Sequence, residues 1–204
     1  MFKIICVTDR GSCRGDFETQ LANIAAAGPD GMILRDKGSS GADYAALFAR
    51  VQALGQRAGV PVAAHGFAAA ARDCGAKSLH LPLHLLTAMP DAEKAAFPVI
   101  GASCHSVPDA ETAYRCGASY LIAGHIYATD CKKGLPGRGL PFLREICRAV
   151  PIPVYAIGGI TRERIAAVRD AGAAGACIMS GLMASDDPAG FLRELREALH
   201  EFSA

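Results

Sequence analysis

Short runs of β-favouring apolar residues alternate with longer, alanine-rich stretches of helical spacing, and this alternation occurs eight times along the chain. Such runs, bounded by turn residues, are typical of strands that are buried on both faces of a parallel sheet. We predict strands at Lys3–Val7, Gly31–Leu34, Val62–Ala64, Ser78–Leu81, Val99–Ser103, Tyr120–Ala123, Val154–Ile157 and Ala176–Met179.

The stretches between these runs are predicted to be helices. Their positions are Asp16–Ala27, Asp43–Ala58, Phe67–Cys74, Asp91–Ala96, Pro108–Cys116, Leu140–Ala149, Arg162–Ala171 and Pro188–Phe202. Glycines follow five of them, where a left-handed residue can end a helix, at positions Gly28, Gly59, Gly75, Gly117 and Gly172. Asp16, Asp43 and Thr161 stand where a side-chain oxygen can cap a helix start.

Eight βα units can form a closed barrel or an open, doubly wound sheet. The first strand is followed by Cys6-Val-Thr-Asp-Arg-Gly11, which lacks the Gly-x-Gly-x-x-Gly pattern of a dinucleotide-binding sheet. The repeats are even in length, and no interruption is long enough for another domain. We therefore predict an α/β fold, a compact, single (β/α)8 TIM barrel without an inserted domain, with residues 1–204 as one domain.

Charge and hydropathy limit the partners of such a barrel. The 21 basic and 20 acidic residues give a net charge of +1, which lacks the broad basic surface of a duplex-nucleic-acid binder. The apolar run near Met1 is shorter than the roughly 7–15 residues of a signal peptide, and no window approaches the roughly 18 of a membrane span. We expect a cytoplasmic protein with reduced cysteines and with neither nucleic-acid nor membrane partners; homo-oligomerisation stays open.

In barrels of this kind the active site lies at the carboxyl ends of the strands. The seventh predicted strand ends at Gly158-Gly159 and the eighth is followed by Ser180-Gly181. Glycines let backbone amides approach an anion, and the loops after strands seven and eight are the recurrent phosphate site of this fold. We predict phosphate binding there; the alternative is that the glycines only make tight turns.

Two further strand ends carry histidine. His125 directly follows the sixth strand, and an imidazole there can act as both acid and base near neutral pH, although a packing histidine is the alternative. Ser103 and His105 alternate with Cys104, so they should share one face. A serine hydrolase is disfavoured because no nucleophile elbow surrounds this serine.

Cations follow the second and sixth strands. Arg35 and Lys37 share a face at the end of the second strand and suit an anionic ligand, with an exposed ion-paired cluster as the alternative. Lys132 lies in the long loop after the sixth strand, which is either a solvated loop or a lid that brings cations over an anionic substrate. We include these three residues among the substrate-binding candidates, together with Ser103 and His105.

The motifs at these strand ends resemble the thiamine-phosphate synthase and TenI superfamily over nearly the whole chain. They are Leu34-Arg-Asp-Lys37, Gly101-Ala-Ser-Cys-His-Ser106, Ala123-Gly-His-Ile-Tyr-Ala-Thr-Asp-Cys-Lys-Lys-Gly-Leu-Pro-Gly-Arg-Gly139, Ala156-Ile-Gly-Gly-Ile160 and Met179-Ser-Gly181. The segment around His125 is most similar to the TenI branch, the thiazole tautomerases, whereas that strand end usually reads Gly-Pro-Ile-Phe in the synthases.

The resemblance also implies a metal site that this chain has lost. Synthases hold magnesium and a pyrimidine pyrophosphate with an Asn-Asp pair after strand three and an acidic residue after a His-Leu-Gly-Gln motif. Here those places read Ala64-His65 and His80-Leu-Pro-Leu-His-Leu85. Imidazole and leucine are poor substitutes for the oxygen ligands that magnesium prefers. We therefore expect the coupling reaction of the synthases to be disabled.

The tautomerase branch implies proton transfer without metal or cofactor. The expected enzyme is an isomerase of thiamine biosynthesis that aromatises a carboxythiazole phosphate, with His125 as the acid–base residue. Its phosphate would lie on Gly158, Gly159, Ser180 and Gly181. Two alternatives stay open: a thiamine-phosphate synthase, a transferase that couples the pyrimidine pyrophosphate to a thiazole phosphate, and a catalytically silent, phosphate-binding regulatory barrel.

Overall fold

Eight parallel strands close into a barrel in the computed structural model, which describes residues 1–132 and 134–201. Each strand pairs with its neighbours in sequence, and the last pairs with the first, with Lys3 opposite Gly175. The strands are β1 (Lys3–Val7), β2 (Gly31–Leu34), β3 (Val62–His65), β4 (Ser78–Pro82), β5 (Val99–Cys104), β6 (Tyr120–Gly124), β7 (Val154–Ile157) and β8 (Gly175–Ile178). The predicted (β/α)8 barrel is confirmed.

Helices follow the strands and cover the outside of the barrel. Those in the described residues are α1 (Phe17–Ala27), α2 (Gly41–Ala58), α3 (Ala68–Asp73), α4 (Leu83–Ala88), α5 (Asp91–Lys94), α6 (Val107–Arg115), α7 (Gly139–Ala149), α8 (Arg162–Asp170), α9 (Ser180–Met183) and α10 (Pro188–Glu201). Short 3-10 turns lie at Arg10–Ser12 and Asp130–Lys132. None of the helices within these ranges has the length and apolar character needed to cross a membrane.

The predicted elements differ from the observed ones mainly at their ends. Four strands continue one residue further than predicted, because ladder pairing extends to His65, Pro82, Cys104 and Gly124. Helix α2 is capped by Ser40 rather than by Asp43: the Ser40 hydroxyl accepts a hydrogen bond from the Asp43 amide at 3.3 Å and donates one to the Asp43 carboxylate at 2.7 Å. The sequence missed α4 and α9, each too short to show a helical repeat, and the end of the last predicted helix, at Phe202, lies outside the described residues.

The core has two layers, which follow from the alternation of side chains along each strand. The larger layer lies between the barrel and its helices and includes Leu34, Leu79 and Leu121. The smaller layer fills the barrel and includes Val7, Ile33, Ile122 and other inward-facing residues. On each strand, the next inward-facing position beyond the apolar layer, two residues further along, lies at the carboxyl end. Polar residues at these positions therefore reach the mouth of the barrel.

Two tyrosines fill the centre of the barrel because glycines make room for them. The Tyr120 and Tyr155 rings pack edge to face, with their centroids 5.6 Å apart. A Cβ atom at Gly101 would lie 2.0 Å from the Tyr120 ring, and one at Gly175 would lie 2.8 Å from the Tyr155 ring. The barrel is therefore closed below the mouth by side chains, and the open space is confined to the carboxyl ends of its strands.

Candidate active site

A cavity of about 350 Å³ opens at the carboxyl ends of the strands, where this fold builds its active sites. It is lined by residues from the strands and from the loops that follow them. The predicted site residues in its wall are Arg35, Lys37, Ser103, His105, His125, Lys132, Gly158 and Ser180. Residues more than 140 positions apart in sequence thus meet in one cavity.

The end of β2 holds Arg35 in a fixed position. The Thr8 hydroxyl accepts a hydrogen bond from the Arg35 amide and donates one to the Arg35 carbonyl, both at 2.9 Å. The guanidinium forms an ion pair with Asp9. Asp36 is buried away from the cavity, where its carboxylate accepts a hydrogen bond from Arg10 at 2.7 Å. Alternation along the strand therefore directs Arg35 to the cavity and Asp36 away from it.

Two lysines bring uncompensated positive charge to the cavity. Lys37 is exposed after β2, and Lys132 is exposed in the 3-10 turn after β6, a strand opposite β2 in the closed barrel. Neither lysine forms an ion pair with a side chain that the structure describes, and no aspartate or glutamate with a described side chain lines the cavity. A cavity with this charge attracts anions from two sides.

A buried histidine links the barrel interior to Ser103. His80 is 1% exposed; its Nδ1 lies 3.2 Å from the Tyr120 hydroxyl, and its Nε2 lies 2.9 Å from Ser103 Oγ. Burial raises the pKa of Tyr120 above its usual range, so the phenol keeps its proton. We assign Tyr120 as donor to Nδ1 and the Nε2–H of His80 as donor to Ser103, because the opposite tautomer leaves the phenol hydrogen without an acceptor among the described residues. The Ser103 hydroxyl hydrogen is then available to a ligand in the cavity.

His65 stands beside this network and beneath the β2 cations. Its ring stacks on that of His80, with the centroids 5.5 Å apart. Burial and the neighbouring Arg35 lower the pKa of His65 to about 4, and burial lowers the pKa of His80 to about 3. Both imidazoles are therefore neutral at pH 7, where they offer hydrogen bonds without adding charge. The sequence assigned no role to either residue, although both occupy inward strand positions that alternation identifies.

Because these two histidines are neutral in the folded protein, we expect the folded state to lose stability in mild acid. Their pKa values are lower in the folded state than the usual 6.5, so the unfolded chain binds more protons as the pH falls from 6.5 towards 4. The free energy of unfolding should therefore be highest above pH 6.5 and fall by up to about 1.4 kcal/mol per pH unit for each histidine below it. Urea unfolding at pH 7 and pH 5 measures this difference.

The control for this prediction is His84, which is exposed and outside the His65–His80 stack. The His84→Gln variant should retain the difference between pH 7 and pH 5, whereas His80→Asn should lose about half of it. A free energy of unfolding that is equal at the two pH values in the unmodified protein would show that neither histidine is held neutral by the fold.

Two more histidines lie at the rim of the cavity. The His105 Nδ1 lies 2.8 Å from the Gly124 carbonyl, so Nδ1 donates and Nε2 is left to accept a hydrogen bond. The His125 Nε2 lies 3.4 Å from the Leu135 carbonyl, which is long for a hydrogen bond and leaves this ring free to contact a ligand. Both predicted rim histidines are thus placed in the wall of the cavity.

The glycines after β7 and β8 are needed first for packing. Gly158 has φ +103°, and a Cβ atom there would lie 2.5 Å from the His125 Cβ. A Cβ at Gly159 would lie 2.6 Å from the Ala128 carbonyl oxygen, and one at Gly181 would lie 2.7 Å from the Phe191 ring. Gly158 and Ser180 line the cavity, whereas the structure places Gly159 and Gly181 behind its wall rather than in it.

The cavity does not offer the ligands of a magnesium site. The synthase resemblance implies carboxylates at the ends of β3 and β4, but the residues there are His65 and Pro82. The neighbouring carboxylates, Asp9 and Asp36, are ion-paired with arginines. Over the part of the chain that the structure describes, no group of three His, Cys, Asp or Glu side chains is placed to hold a metal ion. Because magnesium requires oxygen ligands, the donor set does not fit it.

Comparisons with known proteins agree with the fold and refine the family. The family model described as thiamine monophosphate synthase matches residues 4–182. A thiamine-phosphate synthase of Methanoculleus marisnigri is 35% identical over 202 residues, covering 97% of this chain and 95% of that protein. One of Methanoregula boonei is 33% identical, covering 95% and 91%. A thiamine phosphate pyrophosphorylase structure from Pyrococcus furiosus has a TM-score of 0.84 and 27% identity, covering 100% and 98%.

These matches confirm the predicted superfamily and an enzyme, but they correct the predicted reaction. The prediction of a thiazole tautomerase, an isomerase, is wrong, since relatives that match over nearly the whole chain are thiamine-phosphate synthases. The similarity to the TenI branch around His125 is not confirmed. The prediction failed because the missing carboxylates at the ends of β3 and β4 were taken to mean that the coupling reaction is lost. Positively charged side chains can also neutralise a diphosphate.

Proposed function

The chain belongs to the thiamine-phosphate synthase/TenI superfamily, and on this premise we propose that it is a thiamine-phosphate synthase, a transferase that joins a pyrimidine pyrophosphate to a thiazole phosphate. The observation that carries the proposal is the distribution of charge around the cavity. Arg35 and Lys37 lie on one side, Lys132 lies on the opposite side, and no carboxylate lies between them in the described wall. A reaction between two phosphorylated substrates requires such a cavity.

The coupling can be written without a base or an oxidant. The lone pair of the thiazole ring nitrogen forms a bond to the methylene carbon of the pyrimidine, and the bond from that carbon to the diphosphate oxygen breaks. The electron pair of the broken bond leaves with the diphosphate, and the ring becomes a thiazolium cation. No proton leaves a carbon atom. The protein must therefore align two substrates and stabilise the charge that develops on the leaving group.

The two anions are assigned to different sides of the cavity. The thiazole phosphate lies by the carboxyl ends of β7 and β8, beside Gly158 and Ser180, because these loops are the recurrent phosphate site of the fold. The diphosphate lies by Arg35 and Lys37, with Lys132 across from it. This arrangement places the reacting nitrogen and the methylene carbon between the anions, over the polar network of the barrel.

Hydrogen-bonding residues between the anions position the rings. The Ser103 hydroxyl, held by His80, donates to the diphosphate ester, and the Nε2 of His105 accepts a hydrogen bond from the pyrimidine. His125 borders the thiazole and forms part of the wall. Its acid–base role disappears with the tautomerase prediction, since the coupling transfers no proton at carbon.

Incubating the purified protein with both substrates tests the proposed function. Chromatography should show thiamine phosphate only when the pyrimidine pyrophosphate and the thiazole phosphate are both present. Omitting either substrate is the control. A protein that binds thiazole phosphate by calorimetry yet forms no product, with or without added magnesium, is not a synthase.

A further inference from the structure

The side chains that line the cavity carry a positive charge of their own, with no contribution from a metal ion. Arg35, Lys37 and Lys132 carry three positive charges into the wall, and among the side chains that the structure describes only Arg35 is ion-paired there, with Asp9. His65 and His105 add hydrogen-bonding imidazoles, and no aspartate or glutamate with a described side chain lies in the wall. The surplus positive charge of the two lysines matches a ligand with several negative charges.

The charge of the same wall disfavours the binding of a divalent cation. An ion beside the end of β2 would face the Arg35 guanidinium and the Lys37 ammonium, and it would need oxygen ligands. The two Asp9 oxygens are already engaged by Arg35 and by the Ser12 hydroxyl, and the Asp36 carboxylate is buried against Arg10, on the side away from the cavity. Breaking either pair leaves an arginine uncompensated. The cations already present perform the charge neutralisation for which a metal would be needed.

The geometry also places these cations around one volume. Arg35 is held at its backbone by Thr8 and at its guanidinium by Asp9, so its guanidinium needs little ordering when an anion arrives. Lys37 lies two residues further on the same face of the chain, and Lys132 approaches from the loop after β6, across the mouth. A diphosphate, with phosphoryl groups at both ends, can contact the β2 cations with one group and Lys132 with the other.

We propose that the cavity is a metal-independent diphosphate site, in which Arg35, Lys37 and Lys132 bind the diphosphate group directly and no divalent cation is required. The proposal rests on the proposed function only for the origin of the diphosphate, as the leaving group of the coupling reaction. Inorganic diphosphate itself is the ligand that tests the site, so the test does not depend on turnover.

Isothermal titration of the full chain with inorganic diphosphate, in excess EDTA and again with magnesium, measures the site. We expect dissociation constants that agree within about threefold in the two conditions. Lys37→Gln and Lys132→Gln should each weaken binding about tenfold, since each removes one charge-assisted hydrogen bond. Lys77→Gln is the matched control, an exposed lysine at the start of β4, at the opposite end of the barrel, and its affinity should be unchanged.

A second variant is expected to make the binding of diphosphate depend on magnesium. His65→Asp places a carboxylate beside Arg35 and Lys37, at the end of β3. Binding in EDTA should weaken at least about tenfold by charge repulsion, and magnesium should restore it. Because only the His65 side chain changes, its backbone amide still donates to Tyr44. The lysine variants test the site independently if this variant does not fold.

Three results would overturn the proposed site: no binding of diphosphate in EDTA, affinity at least tenfold higher with magnesium, or affinity unaffected by both lysine substitutions. The outcome is separable from the proposed function. Metal-free diphosphate binding without coupling would retain the site and reject the synthase, whereas coupling that stops in EDTA would retain the synthase and reject the site.

Discussion

Replacing Arg35 with methionine is expected to lower kcat/KM for coupling by about 100- to 1,000-fold, which corresponds to about 3–4 kcal/mol of transition-state stabilisation. The guanidinium can donate two charge-assisted hydrogen bonds to the diphosphate, each worth about 1.5–3 kcal/mol. Its loss also leaves the Asp9 carboxylate unpaired close to the anion, which adds repulsion. Steady-state kinetics with the pyrimidine pyrophosphate varied gives the effect.

The controls for Arg35 separate its charge from its geometry and from folding. Arg35→Lys keeps the charge but not the two-pronged contact, so its activity should lie between those of the unmodified protein and Arg35→Met. Arg50→Met removes another ion-paired arginine, which bonds Glu18 on the helical surface at 2.7 Å, and should leave kcat/KM unchanged. An Arg35→Met protein that is folded and retains more than a tenth of the activity would exclude a direct contact with the leaving group.

Gly158→Ala should disrupt the site by backbone strain and by displacement of its wall. An L residue at φ +103° is strained by about 1–2 kcal/mol, and the new Cβ would lie 2.5 Å from the His125 Cβ and 2.9 Å from its Cα, adding about 1–3 kcal/mol. The Tyr127 amide, bonded to the Gly158 carbonyl at 3.0 Å, would shift with it. We expect a loss of about 2–5 kcal/mol in the free energy of unfolding and at least about 100-fold in kcat.

Gly117→Ala is the matched control, because Gly117 has φ +90° but open space around its Cβ position. It should lose only the strain energy, about 1–2 kcal/mol, with kcat unchanged. Urea unfolding and steady-state kinetics measure both variants. Equal effects of the two substitutions would show that the contact between Gly158 and His125 does not hold the β6 end in place.

The barrel could be predicted because the alternation of strands and helices is visible in short stretches of the sequence. Each strand is a short apolar run, and positive-φ glycines such as Gly28 and Gly59 end the helices before the next strand. The parts that the sequence did not predict are those with too few residues for a period, such as α4 and α9. The cap of α2 was also placed at Asp43 instead of Ser40, since either residue alone is an acceptable cap.

The site was predictable only as a set of strand ends. That rule found Arg35, Lys37 and His125, but it gave no distances and therefore could not tell Gly158, in the wall, from Gly159, behind it. The link from Tyr120 through His80 to Ser103 joins residues 40 and 23 positions apart, and no sequence periodicity reports such a contact. Its members become visible only once the register of β4, β5 and β6 is known.

The reaction was predicted wrongly because the absence of the acidic metal ligands was taken to mean that coupling is lost. The positively charged residues that line the cavity were given too little weight. The missing carboxylates beside Ala64 and at the end of β4 remove a magnesium site, but they also remove negative charge from the cavity. In the proposed site, Arg35, Lys37 and Lys132 contact the anion, and no described acidic side chain in the wall competes with it. Coupling requires that the leaving diphosphate be neutralised, whichever cation does it.

A single-turnover experiment with the protein in excess over the pyrimidine pyrophosphate tests the proposed coupling most directly. With thiazole phosphate present, thiamine phosphate and inorganic diphosphate should appear in equal amounts and at the same rate, and neither should appear when thiazole phosphate is omitted. Diphosphate released without thiamine phosphate, or no product in either magnesium or EDTA, would contradict the assignment of this barrel as a thiamine-phosphate synthase.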